Sequence, residues 1–152
     1  MRGPQLSLKG RALRYLSSRE QSRPELERKL AAHEEEPGQL SRVLDELEAK
    51  GFIDHQRVAD SVVHRRAGKL GAMRMRQELQ SKGLDPELVS ETVRGLRETE
   101  LQRAREIWRR KFDELPSDAN ARAKQARFLA ARGFDGDVVR RVLSPPSDAD
   151  EG

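Results

Sequence analysis

The chain contains no cysteine. Disulfides are excluded, and so is any thiolate nucleophile or thiolate-bound zinc. The absence fits a reducing compartment. Aromatic residues are only 4% of the sequence, too few for a platform of stacked rings on single-stranded nucleic acid. No apolar run approaches the ~20 residues of a membrane span. Residues 1–10 carry no apolar signal core. The expected location is therefore the cytoplasm, with no membrane partner. Of the three histidines, His33 precedes Glu34-Glu35-Glu36 without the second histidine of a zinc-protease helix. His55 and His64 lie nine apart, off any shared helix face. No metal site is expected. Gly68-Lys69-Leu70-Gly71 lacks the spacing of a phosphate loop, and no Ser/His/Asp order stands out. The chain is expected to be no enzyme, with no catalytic residues and no cofactor.

What the sequence has in abundance is charge: 37% charged against 35% hydrophobic residues over 152 positions. That balance suits several small, thin-cored units better than one deep core. No segment alternates with the period of a strand, whereas Leu40, Val43, Leu44 and Leu47 follow helical spacing, as do Leu101, Ala104, Ile107 and Trp108. Trp108, Phe112, Phe128 and Phe134 fall at apolar positions and are expected in the core. A short motif recurs: Lys50-Gly51-Phe52-Ile53-Asp54, Lys82-Gly83-Leu84-Asp85 and Arg132-Gly133-Phe134-Asp135. The glycine suits the left-handed position after a helix. The basic residue faces the negative helix end, and the aspartate caps the next helix. At an offset of 49, Leu26, Leu30, Leu40, Leu44 and Leu47 fall on Met75, Leu79, Val89, Val93 and Leu96. At an offset of 50, Leu79, Lys82, Gly83 and Val89 fall on Leu129, Arg132, Gly133 and Val139. In the first unit Glu34-Glu35 stands where that glycine turn belongs, so the connection there must differ. Ser22-Arg23-Pro24-Glu25 has the form of a capping box with proline at the first helical position.

The expected fold is all-α, three tandem three-helix repeats forming an elongated, curved molecule. The expected units are 1–53, 54–96 and 97–143, followed by a disordered acidic tail, 144–152. Charge is uneven: +1 in the first unit, +2 in the second, +4 in the third and −3 in the tail. Two windows hold no acid at all. One, Ser61 to Gln77, carries Arg65, Arg66, Lys69, Arg74 and Arg76; the other, Ala119 to Phe134, carries Arg122, Lys124, Arg127 and Arg132. Arginine in a first helical turn opposes the dipole, so Arg74 and Arg76 suggest an interaction role. These nine residues are the candidate contacts to a protein partner or DNA.

The four motif sets, taken in order, resemble the bacterial RecX regulatory proteins over roughly Leu8 to Leu143. They are Ser22-Arg23-Pro24-Glu25-Leu26 with Lys29-Leu30; Gly51-Phe52-Ile53-Asp54 with Arg57-Val58-Ala59; Gly71, Arg74, Glu78-Leu79 and Lys82-Gly83-Leu84; and Lys124, Phe128-Leu129 and Arg132-Gly133-Phe134. His55 stands where that family usually has aspartate, Val58 where it has phenylalanine, and Ala72 where it has proline. The resemblance implies a modulator of the RecA recombinase that binds the RecA–DNA filament in its groove, damping filament growth, strand exchange and ATP hydrolysis in DNA repair and the SOS response. It implies a monomer whose partner is the filament protein, with direct contact to single- or double-stranded DNA open. Two rival readings stand beside it. One is a helix-turn-helix binder of double-stranded DNA, for which Arg76 and Gln77 are the nearest base-reading side chains. The other is a helical scaffold with no nucleic-acid role.

Overall fold

The computed structural model describes residues 6–145, so the expected acidic tail lies outside the described residues from 146 onward. Among the described residues there are nine α-helices, one 3-10 turn and no strand. Unit one holds α1 (Leu8–Ser18), α2 (Arg23–Leu30), the 3-10 turn Ala31–His33, and α3 (Gln39–Ala49). Unit two holds α4 (His55–Arg66), α5 (Ala72–Ser81) and α6 (Pro86–Arg97). Unit three holds α7 (Glu100–Lys111), α8 (Ala119–Ala131) and α9 (Gly136–Leu143).

The repeated motif does what its chemistry requires. Gly51, Gly83 and Gly133 sit at φ +81°, +70° and +96°, just past α3, α5 and α8. The aspartates then cap the following helices: Asp54 accepts from the Arg57 N–H at 3.1 Å, Asp85 from Glu87 at 2.8 Å, and Asp135 from Val138 at 2.9 Å. The Ser22 capping box closes both ways, with Ser22 Oγ accepting from Glu25 N–H at 3.3 Å and Glu25 Oε1 from Ser22 N–H at 3.1 Å. Arg23, not Pro24, is the first helical residue; the proline takes the second position, whose N–H is equally unneeded by the helix. Where unit one lacks the glycine turn, the chain makes the 3-10 turn instead, and Glu34 Oε2 accepts from the Leu40 N–H at 2.8 Å.

The apolar periodicity closes into three separate cores. Leu26, Leu30, Leu44 and Leu47 centre the first. Val58, Met75, Leu79 and Val93 centre the second. Ala104, Leu129, Phe134 and Val142 centre the third. Each core is shallow, so neighbouring units must stabilise one another. Of the four aromatic residues expected in the core, Phe134 alone is fully buried; Trp108, Phe112 and Phe128 are half-buried. Trp108 Nε1 donates to Gln125 Oε1 at 2.8 Å, and Phe112 meets Phe128 edge-on at 5.3 Å. Phe112 follows α7 rather than lying in it. Those polar and edge contacts keep the rings at the rim of a thin core.

Of the three departures, Val58 is a buried core residue. His55 Nε2 accepts from the backbone N–H of Arg23 at 3.2 Å, which satisfies the start of α2. An aspartate there offers the same kind of acceptor. Ala72 opens α5, and its N–H donates to Glu100 Oε1 at 2.9 Å.

Candidate functional site

The units meet at two joints built alike. At each, the start of a unit's second helix is set against the end of the next unit's second helix. At the first joint, Ser22 Oγ donates to the Lys82 carbonyl and Arg28 Nη2 to the Ser81 carbonyl at 3.3 Å. Pro24 packs so closely on Gly83 that a Cβ there would lie 2.7 Å from its Cγ. At the second joint, Gly71 N–H donates to the Arg132 carbonyl at 2.7 Å and Met73 N–H to the Gly133 carbonyl at 3.1 Å. Arg74 Nη1 donates to the Ala131 carbonyl at 3.1 Å. Gly71 and Gly133 lie against the neighbouring unit's main chain, with no room for a Cβ on either. At the second joint the free N–H groups of one helix thus meet the free carbonyls of another, whereas at the first joint side chains supply the donors. Arg74 opposes its own helix dipole because it serves the carbonyl end of α8.

Arg103 staples the second joint from behind. Its guanidinium donates to the carbonyls of Ala67 at 3.0 Å, Leu70 at 2.8 Å and Leu96 at 3.3 Å, and its Nε to Thr99 Oγ1 at 3.2 Å. Burial pulls its pKa below the usual arginine value, against the opposing pull of Glu100.

Glu25 plays a similar part at the first joint. It is 5% exposed and touches Arg19 at 3.0 Å and Lys82 at 3.4 Å. Burial pushes its carboxyl up, but the Ser22 N–H, Arg19 and Lys82 together outweigh that and hold it below the ordinary 4.5. A carboxyl with a depressed folded pKa contributes stability above its unfolded value and loses it as pH falls through the folded one. Urea midpoints are therefore expected to drop on acidification below pH 4.5. The Glu25→Gln protein should be weaker at neutral pH and show a shallower loss; an equal acid dependence in both proteins would exclude Glu25 as its source.

The candidate cations fall into distinct places. Arg66 reaches Glu78 at 3.5 Å, and Arg74 belongs to the joint. Arg122 Nη1 donates to the Leu143 carbonyl at 3.5 Å. Arg65 stands exposed in the last turn of α4, Lys124 and Arg127 stand exposed on α8, and Arg76 is half-buried on α5. Lys69 and Arg132 come together across the second joint. They line an open cleft of about 370 Å3 with Arg110, Lys111, Ile107, Phe128 and Gly68. Arg132 lies 4.5 Å from the Phe128 ring centre, and Lys111 Nζ lies 5.9 Å from it. Sequence reasoning passed over Arg110 and Lys111, because a basic run closing a helix is accounted for by the dipole alone. A larger groove of about 490 Å3 between α4 and α6 is lined by Asp60, His64 and Glu91 and gathers none of the nine cations. Among the described residues no cluster of three metal-ligating side chains occurs, and no helix is long and apolar enough to cross a membrane.

The chain matches three family models in sequence. Residues 9–47 match the first three-helix domain of RecX, residues 54–93 the second, and residues 98–143 the third. It is 56% identical over 140 residues to the regulatory protein RecX of Leptothrix cholodnii, covering 92% of this chain and 89% of that one. It is 40% identical over 143 residues to the protein of the same name from Neisseria meningitidis, covering 92% and 91%. The crystal structure of RecX from Lactobacillus salivarius superposes with a TM-score of 0.75 at 20% identity, over 90% of this chain and 92% of that chain, and shares its fold.

Proposed function

This chain belongs to the RecX family of regulatory proteins, and from that premise we propose that it binds the RecA–DNA filament and restrains the recombinase. It acts by occupying a surface rather than by catalysis, as a cytoplasmic monomer. Filament growth, strand exchange and ATP hydrolysis are the steps it damps. The observation that carries the reading is a set of cations without counter-ions on consecutive, tightly jointed units. Arg65, Lys69, Arg76, Lys124 and Arg127 have no ion-pair partner among the described residues. Solvated helix faces ordinarily interleave both signs, whereas these positions face an acidic or polyanionic partner without internal competition. The backbone hydrogen bonds of the second joint hold units two and three in fixed register, which a periodic filament requires of a ligand spanning it.

The test is inhibition of RecA ATPase on single-stranded DNA, with co-sedimentation against filaments, RecA alone and DNA alone. Arg76→Glu, Lys124→Glu and Arg127→Glu together should raise the concentration needed for half-inhibition at least about 10-fold. Pelleting with filaments should fall in parallel. Unchanged inhibition by the triple variant would remove these residues from the interface.

The helix-turn-helix alternative has less room. Its base-reading candidates, Arg76 and Gln77, lie on α5. A recognition helix presents its first residues to base edges, and the first turn of α5 is taken up by Gly133 and Glu100.

A further inference from the structure

We propose that the cleft between units two and three is a binding site for the phosphodiester backbone of nucleic acid, taken without regard to base identity. The proposal deepens the reading of the chain as a regulator of DNA-bearing filaments, and its choice of ligand rests on that reading. Four cations from two units converge on the cleft: Lys69 from the turn after α4, Arg110 and Lys111 from the end of α7, and Arg132 from the end of α8. No acid lines it, and none of the four has an ion-pair partner among the described residues. Arg132 Nε is buried without a hydrogen-bond partner there. A buried donor left unpaired is destabilising, and a charged group held in that state calls for an explanation. An anion gathered onto the guanidinium offsets that cost.

The donor and acceptor inventory selects the kind of anion. The lining side chains supply N–H donors almost exclusively. Gly68 contributes a carbonyl, and Arg110 Nη1 already approaches it at 3.4 Å. A phosphodiester brings acceptors only, and so meets donors on every side. An acidic peptide brings one backbone N–H per residue, each needing an acceptor that the cleft lacks. The aromatic ring argues for backbone rather than base recognition. Phe128 carries Arg132 at 4.5 Å and Lys111 at 5.9 Å and meets Phe112 edge-on at 5.3 Å, so no base can stack on it freely.

The probe is a fluorescein-labelled oligothymidylate 15-mer, followed by anisotropy with the full chain and no recombinase present. Lys69→Gln with Lys111→Gln removes two exposed cations from the cleft. Arg14→Gln with Arg42→Gln removes two exposed cations from unit one and is the matched control. The cleft pair should weaken binding about 10-fold and lower the salt slope by about 1.4, about 0.7 for each lysine lost on a single strand. The control pair should stay within about 2-fold, and oligothymidylate and mixed-sequence strands should bind alike. Equal weakening by both pairs would mean that net charge alone attracts DNA, and the site falls. Displacement of the oligonucleotide by polyglutamate at equal charge, lost in the cleft pair, would assign the cleft to an acidic protein segment and also overturns it. RecA ATPase inhibition by the same variants separates the two readings. Full inhibition with lost oligonucleotide binding keeps the phosphate site and removes it from filament regulation. Lost inhibition with intact oligonucleotide binding does the reverse.

Discussion

Gly71→Ala and Gly133→Ala are each expected to part the second unit from the third, lowering stability by about 3 kcal/mol or more. The two substitutions reach that result by different routes. Gly71 has an extended backbone, φ −82° and ψ 173°, which any residue adopts. Its alanine methyl would fall 2.6 Å from the carbonyl carbon and oxygen of Gly133 and from Phe134 N, all main-chain atoms. Main chain cannot rotate aside as a side chain can, so the joint must open. Gly133, at φ +96°, adds a left-handed conformation that costs a non-glycine residue about 1–3 kcal/mol, and its methyl would sit 2.5 Å from Arg74 N. Gly51 separates the two effects. It has φ +81° with nothing within 4 Å, so Gly51→Ala carries the backbone strain alone. Its expected cost is about 1–2 kcal/mol with the second joint intact. Hydrogen exchange reads the joint directly through the amides of Gly71 and Met73, which bond to the Arg132 and Gly133 carbonyls. Both should lose protection in the Gly71 and Gly133 variants and keep it in the Gly51 variant. A Gly71→Ala protein with full protection at Met73 and an unshifted urea midpoint would show that the joint yields without cost.

Arg103→Met is expected to cost about 3 kcal/mol, with Arg103→Lys recovering less than half of it. Methionine fills much of the stem volume but leaves the carbonyls of Ala67 and Leu70 without the Arg103 donor, whereas Leu96 keeps its bonds from Thr99. Hydrogen bonds to a charged group contribute about 1.5–3 kcal/mol each when lost at a partly buried site, and they are not additive. Lysine restores the charge but not the fork. A single ammonium cannot span three carbonyls, two from the turn after α4 and one from the end of α6, in the way a planar guanidinium does. Equilibrium unfolding in urea checks both variants. A lysine protein as stable as wild type would mean that the charge, rather than the geometry, holds the joint.

Local rules made most of the helices legible in the sequence. The Ser22 box, the three glycine turns and the three aspartate caps depend only on residues within a few positions of one another, and they lie where the pattern puts them. The joints were not legible, because they depend on atoms about sixty residues away. Gly71 has the look of an ordinary loop glycine until the main chain of Gly133 is set against it. Glu100 looks like a dipole complement in a first helical turn, yet it is buried and bonded to Ala72 N–H at 2.9 Å. That bond also accounts for the alanine. Proline at the head of a helix has no N–H to satisfy, whereas alanine has one, and Glu100 supplies its acceptor. Arg103 looks like a solvated face charge for the same reason. The period near fifty was visible, but not its purpose. Gly83 and Gly133 end helices that the preceding unit docks against, while among the described residues no unit docks on the end of α2, where Glu34-Glu35 stands in the glycine's place.

The end-to-start placing of α8, α5 and α2 has an electrical consequence. At each joint the partial negative charge of one helix end meets the partial positive charge of the next helix start, and the two offset each other. What survives is a negative pole beyond α2, where Glu34, Glu35 and Glu36 reinforce it, while at the start of α8 the Asp118 carboxylate accepts from the Ala121 N–H at 2.7 Å and offsets the positive end. The side chains are graded in the same sense, from +1 over residues 1–53 to +4 over residues 97–143. In the field of a polyanion a molecule so graded is expected to turn its third unit forward, and association faster at low ionic strength than at high would register that steering.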